Sequence, residues 1–187
     1  MRVLTFGHGT AEPAEIVRLL REAEIERLVD VRTAPGSRRN PQVARSAMQI
    51  WLPDAGIGYR WDKRLGGWRK APADSPDTEL RVKAFVGYAA HMRTAEFLAA
   101  IDDVLDEAGR VRLTVMCSES VWWRCHRKLI ADHLVIARGC EVRHLMHDGS
   151  IRPHLPTAEA RLDPERGGIV YDGGQQPFAD LEGFGSP

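Results

Sequence analysis

The segment from residue 117 to residue 127 gathers most of the side chains in this sequence that can do chemistry. It contains Cys117, Glu119, Arg124, Cys125, His126 and Arg127. A cysteine thiolate acts as a nucleophile or as a metal ligand, and nearby cations lower the pKa of a thiol. Carboxylates and imidazoles transfer protons. The spacing therefore indicates a reactive site, in which the thiol is the nucleophile or a ligand and Glu119 or His126 is the acid or base.

A metal centre is an open alternative for the same segment. Cys117, Cys125 and His126, with His8 or His144, offer the soft and borderline ligands that suit zinc or iron. The sequence has no paired C-x2-C motifs. Cys125 and His126 are also neighbours on a predicted helix, where their side chains are expected to point in different directions. We therefore assign no metal ligands, and an inert core thiol remains a further alternative for Cys117.

Two other groups of reactive residues follow predicted strands. His8 lies between two glycines after the first strand, and Asp30 and Arg32 end the second. In a parallel α/β sheet the ligand binds beyond the carboxyl ends of the strands. A binding role is thus indicated for His8 and Arg32, although His8 can also bond to a backbone carbonyl and Asp30 can form a structural ion pair with Arg32.

Residues 31–70 form a basic stretch that contains Trp51, Trp61 and Trp68. The basic residues are Arg32, Arg38, Arg39, Arg45, Arg60, Lys63, Arg64, Arg69 and Lys70, and the acidic ones are Asp54 and Asp62. Cations interleaved with aromatic rings suit contacts to phosphates and stacked bases. The stretch therefore predicts contact with a nucleotide or nucleic acid, unless acidic residues in 96–107 pair with these charges.

Short apolar runs alternate with amphipathic segments along the chain, and these elements must position the reactive residues. Strands are predicted at residues 3–6, 28–31, 57–61, 111–116 and 142–146, the last being the final strand. Helices are predicted between them, including one over 122–138 for which Ser118 or Ser120 is available as the N-cap. This alternation predicts an α/β fold with a mostly parallel sheet flanked by helices, a Rossmann-like three-layer arrangement.

The chain has 187 residues and a formal net charge of zero, with 43% hydrophobic residues. These values are typical of a globular protein, and the length predicts one domain over residues 1–160. Residues 161–187 are rich in Gly and Pro, which predicts a loosely ordered tail. No apolar run reaches the roughly 20 residues of a membrane span. Three cysteines and no signal segment predict a cytoplasmic protein, and the oligomeric state is not indicated.

Several short motifs resemble the family called domain of unknown function 488. They include residues 5–9 (TFGHG), residues 28–32 (LVDVR), Leu65-Gly66-Gly67 and residues 116–119 (MCSE), with CHR at 125–127. The resemblance covers residues 1 to about 150 and implies a compact α/β domain. It implies site residues at His8, Asp30, Arg32, Ser37, Arg38, Gly66, Gly67, Cys117, Glu119, Cys125, His126 and Arg127. Family members often have Ala in place of Ser118 and Pro in place of Trp122.

Together these observations predict an enzyme that acts on an anionic, phosphate- or nucleotide-bearing ligand. The expected catalytic residues are Cys117, Glu119, Cys125, His126 and His8. The expected ligand-binding residues are Asp30, Arg32, Ser37, Arg38, Arg124, Arg127, Gly66 and Gly67. The alternatives are a non-catalytic nucleic-acid-binding module that uses the basic stretch, and a Cys/His metal-binding protein.

Overall fold

A six-stranded sheet with helices on both faces makes up the core of the protein. The computed structural model describes residues 1–36 and 40–174. The strands are β1 (Arg2–Gly7), β2 (Arg27–Asp30), β3 (Gly58–Trp61), β4 (Leu113–Cys117), β5 (Glu141–Leu145) and β6 (Ile151–Pro153). Their order is β3-β2-β4-β1-β5-β6, with β1 to β5 parallel and β6 antiparallel to β5.

Two groups of helices cover the two faces of this sheet. The helices are α1 (Pro13–Glu22), α2 (Arg45–Asp54), α3 (Lys83–Met92), α4 (Ala95–Ala108) and α5 (Arg127–Ile136). Apolar residues of α1 and α2 pack on one face, and those of α3, α4 and α5 pack on the other. The predicted three-layer α/β fold with a mostly parallel sheet is therefore confirmed.

Local sequence explains where these helices form. Pro13 begins α1, where its fixed φ suits the first turn, and Ile16, Leu19 and Leu20 place one apolar face in the core. In α4 the Thr94 hydroxyl oxygen accepts a hydrogen bond from the Phe97 amide at 3.3 Å. This N-cap pairs one of the amides that a helix start leaves without a partner.

The carboxyl ends of β1, β2 and β4 lie side by side in the middle of the sheet. Gly7 is in register with Cys117, and Asp30 is in register with Met116. His8 follows β1 directly, and its amide donates to the Cys117 carbonyl at 3.1 Å. The strand order thus brings the ends of three segments that are far apart in sequence to one edge.

The helix predicted over residues 122–138 begins later than expected. A 3-10 turn at Trp122–Arg124 comes first, Cys125 is extended, and α5 starts at Arg127. Neither predicted serine caps α5, because His126 occupies the N-cap position. The Trp122 ring stacks on His144 of β5, with the ring centroids 4.0 Å apart. This contact packs the turn against the sheet.

The chain beyond β5 contains more structure than predicted. Besides β6, a hairpin forms from β7 (Ala160–Asp163) and β8 (Gly168–Tyr171). Ile169 and Tyr171 are fully buried in the core beside α3 and α5. The expectation of a loosely ordered tail is therefore corrected for residues 161–174, where apolar residues of β8 complete the core. Residues 175–187 lie outside the described part of the chain.

The helices of residues 1–36 and 40–174 are too short or too polar to span a bilayer.

Candidate functional site

A cavity of about 470 Å³ opens at the edge of the sheet where β1, β2 and β4 end. All five side chains predicted to be catalytic line it, namely His8, Cys117, Glu119, Cys125 and His126. Of the predicted ligand-binding residues, Arg32, Arg124 and Gly67 line it, whereas Asp30, Gly66 and Arg127 do not. Ser37 and Arg38 lie outside the described residues. The strand-end argument thus identified a common cavity.

Cys117, Cys125 and His126 converge on one point in this cavity. The His126 Nδ1 atom lies 3.6 Å from the Cys125 sulfur and 3.9 Å from the Cys117 sulfur. The three ligand atoms all lie within 4.8 Å of one another, and the three residues are buried. The expectation that Cys125 and His126 point in different directions is therefore wrong. Both precede α5, and the extended backbone of Cys125 turns its sulfur toward the imidazole.

The imidazole of His126 has a defined orientation. Its Nε2 atom lies 3.2 Å from the Val31 carbonyl oxygen, which can only accept a hydrogen bond, so Nε2 carries the hydrogen. In the neutral ring Nδ1 then presents its lone pair to the two sulfur atoms. The Tyr88 ring packs against the imidazole, with the centroids 5.0 Å apart.

Arg127 is a buried cation whose nearest side-chain partner is a sulfur atom. Its side chain is among the largest that are fully buried, and no carboxylate of the described residues forms an ion pair with it. Its Nε donates to the Cys125 sulfur at 3.4 Å, and Nη2 donates to the Glu119 carbonyl. The hydrogen bond from Cys117, together with Arg127, lowers the pKa of Cys125 to about 6. That hydrogen bond and burial raise the pKa of Cys117 to about 12.

His8 accepts a hydrogen bond from Arg32 and is held in its neutral form. The Arg32 Nη1 atom lies 3.2 Å from His8 Nε2, and His8 Nδ1 donates to the Gly9 carbonyl at 2.9 Å. Burial and the charge of Arg32 lower the pKa of His8 to about 4. A ring whose basic nitrogen already faces a guanidinium is a weak proton acceptor.

Asp30 positions Arg32 from behind the cavity wall. Its carboxylate accepts from Arg32 Nε at 2.8 Å and from Nη2 at 2.6 Å, and Tyr59 donates to it at 2.7 Å. Asp30 is fully buried. Although burial opposes the charge, these bonds to Asp30 raise the pKa of Arg32. The structural ion pair left open by the sequence is thus formed.

Gly66 and Gly67 provide space for neighbouring side chains. A Cβ atom on Gly67 would lie 2.4 Å from His126 Nδ1, and one on Gly66 would lie 2.6 Å from the Thr33 hydroxyl oxygen. These separations are far below van der Waals contact, so neither position tolerates a side chain without a shift. Gly67 therefore makes room for the imidazole ring of His126 itself.

Sequence reasoning missed several residues of the cavity wall. Thr33, Phe85 and Ser118 line it without having been predicted to do so. Phe85 gives no separate signal, because a half-buried aromatic ring on a helix has the spacing of a core residue. Trp68, which the sequence singled out only as an aromatic ring of the basic stretch, also lines the cavity and is 81% exposed.

Ion pairs neutralise much of the basic stretch between residues 31 and 70. Arg60 pairs with Asp62 and Glu107, and Arg64 pairs with Asp62 and Asp103. The indole nitrogens of Trp51 and Trp61 donate to backbone carbonyls within the fold. The acidic residues of 96–107 thus pair with this stretch, which reduces the support for a nucleic-acid-binding face.

A second depression, of about 600 Å³, lies between residues 69–73 and α3. It contains Arg69, Lys70 and His91 but no cysteine or carboxylate. His91 Nε2 donates to the Arg64 carbonyl at 2.6 Å, so its imidazole is engaged in the fold. The reactive side chains therefore belong to the cavity at the strand ends.

Comparisons with known proteins place the chain in a family. The family model described as "Domain of unknown function DUF488" matches residues 12–134, which include β2, β4 and the segment from Cys117 to Arg127. No curated protein and no solved structure matches the chain. The family match covers more than half of the 187 residues and agrees with the motifs seen in the sequence. The chain therefore belongs to the DUF488 family.

Proposed function

We propose that this protein is an enzyme that binds an anionic, phosphate- or nucleotide-bearing ligand in the strand-end cavity and acts on it there. One observation carries the proposal: a single cavity of about 470 Å³ is lined by two thiols, a carboxylate, two imidazoles and two guanidinium groups. A concave site with a few convergent polar groups is the usual form of an active site.

Support for an anionic ligand comes from Arg124 and the loop before it. Arg124 is exposed on the cavity wall, and it forms no ion pair with any carboxylate in residues 1–36 and 40–174. The amides of residues 118–121 donate to no backbone or side-chain acceptor in those ranges. An unpaired guanidinium beside free amides favours a phosphate or carboxylate group.

Support for a planar group on the ligand comes from the aromatic rim. Trp68 and Phe85 line the cavity, and Trp68 is 81% exposed. An exposed indole at the mouth of a cavity is a stacking surface for a nucleobase or another flat ring. The rim thus favours a nucleotide over inorganic phosphate.

Glu119 is the acid or base in this proposal. The residue lines the cavity, and its carboxylate forms no ion pair within the described part of the chain. It is therefore free to exchange a proton with a bound ligand, whereas His8 is already engaged by Arg32.

The experiment measures binding and turnover separately in the full chain. Inorganic phosphate, adenosine monophosphate and a single-stranded oligonucleotide are titrated, and their hydrolysis products are followed. We expect Arg124→Met to weaken binding of the preferred anion about tenfold or more, since a charge-assisted hydrogen bond contributes about 1.5–3 kcal/mol. Arg110→Met, an exposed arginine beyond the far end of α4, is the matched control.

Glu119→Gln should abolish turnover and leave the dissociation constant nearly unchanged. The proposal is overturned if no anion binds, or if Arg124→Met and Arg110→Met bind it equally. Oligonucleotide binding that falls steeply with salt and persists in Cys117→Ala and Arg124→Met would instead identify the non-catalytic module.

A further inference from the structure

The convergence of two sulfur atoms and one imidazole nitrogen at the cavity wall has the geometry of a metal site. We propose that Cys117, Cys125 and His126 bind one zinc-like divalent cation whose fourth coordination position opens into the cavity. The sequence alone argued against this, because it placed Cys125 and His126 on a helix.

The distances fit a tetrahedral ion. Bond lengths of about 2.3 Å to sulfur and 2.0–2.1 Å to nitrogen put the sulfur and nitrogen ligands of tetrahedral zinc about 3.6 Å apart. The two separations here are 3.6 and 3.9 Å. Two thiolates and an imidazole are the donors that zinc prefers, whereas magnesium and calcium prefer oxygen ligands.

The surroundings of His126 orient it as a ligand. Its Nε2 hydrogen is held by the Val31 carbonyl, so the lone pair of Nδ1 faces the two sulfur atoms. Metal-binding histidines almost always donate their second ring hydrogen to a carbonyl or carboxylate in this way. The partner of Nε2 therefore selects the tautomer that a metal needs.

Gly67 allows the imidazole of His126 to stay in the position of a ligand. A Cβ atom on Gly67 would lie 2.4 Å from Nδ1, 2.8 Å from Cγ and 3.0 Å from Cε1, which places it over the face of the ring. A side chain at this position would therefore push the imidazole away from the two sulfur atoms.

Charge balance also fits a cation at this position. Two thiolates and a divalent ion are neutral together, and Arg127 donates to the Cys125 sulfur from its buried position. The centre then carries a net positive charge from Arg127, which would attract an anionic ligand. The sequence predicted that Arg127 contacts the ligand. In this proposal Arg127 instead donates a hydrogen bond to the Cys125 sulfur.

The open fourth position defines the class of reaction, and this part rests on the proposed function. Structural zinc sites have four protein ligands, whereas catalytic sites have three and a water. No fourth His, Cys, Asp or Glu of the described residues joins the three. An ion held here would supply an activated water for addition to a phosphoryl or carbonyl centre, and Glu119 of the same cavity would take up the proton of that water and return it to the leaving group.

The test uses cobalt(II) as a spectroscopic probe of the metal-free, reduced full chain. We expect one ion per chain, a thiolate-to-cobalt charge-transfer band and the visible bands of a tetrahedral site. Cys125→Ser removes a ligand and should weaken cobalt binding strongly. The loss should exceed the roughly 10–100-fold effect of removing a residue that is hydrogen-bonded to a metal ligand. Cys140→Ser, the third free cysteine, is the matched control and should bind like the wild type.

Gly67→Ala tests the same site while keeping all three ligands. We expect at least a tenfold loss of cobalt affinity, and circular dichroism monitors the fold of each variant. If Cys125→Ser does not fold, the inference is tested by the wild-type cobalt spectrum and by the cobalt affinity of Gly67→Ala. The inference is overturned if the wild type shows no charge-transfer band, if Cys125→Ser keeps it, or if the freshly purified chain carries a Cys117–Cys125 disulfide in place of an ion.

Metal binding and the proposed function can fail separately. Cobalt binding is measured without any anion, and the Arg124-dependent binding of anions is measured without metal. Anion binding and turnover by a chain that binds no cobalt would overturn this inference alone. A metal centre with no anion binding would overturn the proposed function alone.

Discussion

Arg32 depends on the carboxylate of Asp30 for its position in the cavity wall. The two form a bidentate ion pair in which Asp30 is 0% and Arg32 is 7% exposed. Removing one partner of a buried pair leaves an uncompensated charge, which costs about 3–5 kcal/mol. The free energy of unfolding should therefore fall by about that amount in Asp30→Ala, as measured by urea denaturation.

The double variant Asp30→Ala/Arg32→Met is the control for this prediction. Removing both charges eliminates the unpaired cation, so the double variant should be more stable than Asp30→Ala alone. A loss below about 1 kcal/mol in Asp30→Ala would contradict the structural role of the carboxylate.

His133 is a buried imidazole of α5 with neither ring nitrogen hydrogen-bonded to any described residue. It packs edge-on against Phe97, with the ring centroids 5.1 Å apart. Burial, aided by Arg138 and opposed by Asp102, lowers the pKa of His133 from 6.5 to about 4. Protonation thus favours the unfolded chain, and this residue makes the fold less stable as the pH falls from 6.5 toward 4.

His133→Leu should remove that part of the pH dependence. Between pH 7.5 and pH 5 the wild type should lose about 2 kcal/mol of stability through this group. The variant should lose correspondingly less over the same interval, and His8, His91 and His144, whose pKa values are also lowered, contribute to the remaining slope. Urea denaturation at the two pH values checks this, and parallel slopes for the two proteins would show the prediction to be wrong.

At the scale of elements, the β7–β8 hairpin is attached to the rest of the fold by Asp77. This buried carboxylate accepts from Arg93 Nη2 at 2.8 Å and from the Tyr171 amide at 3.2 Å. Arg93 in turn donates to the Ile169 carbonyl at 2.8 Å. Asp77 thus connects its own loop, which precedes α3, to Arg93 at the end of α3 and to β8.

Asp77→Ala should loosen the hairpin and destabilise the protein by about 3 kcal/mol, because it leaves Arg93 without its carboxylate. Limited proteolysis should then cleave within residues 156–174 well before the rest of the chain. Asp74→Ala, an exposed residue of the same loop, is the control and should be cut like the wild type. Equal cleavage of the two variants would rule out this anchor.

Sequence patterns predicted the elements of the fold well where the signal is local. The spacing of Ile16, Leu19 and Leu20 defines the buried face of α1, and the run ending at Cys117 defines β4. The start of α5 was not predictable in this way. The turn that precedes α5 packs against the sheet through the stacking of Trp122 on His144, a contact between residues that are distant in sequence.

At the scale of the whole molecule, the rule that ligands bind at the carboxyl ends of parallel strands identified most of the candidate site. It selected His8, Arg32 and Cys117, all of which line the cavity. The convergence of Cys125 with His126, and the space that Gly67 leaves, follow from backbone angles at individual residues. Such details are set by tertiary packing, and residue types alone do not reveal them.

The position of β4 between β1 and β2 also has a consequence for synthesis of the chain. β1 and β2 emerge first, but each pairs with β4, whose residues 113–117 are made about a hundred positions later. Until then the nascent chain holds two unpaired strand edges, which are prone to associate with other chains. Translation must therefore pass residue 117 before β4 can join β1 to β2, and residue 126 before the cavity wall is complete.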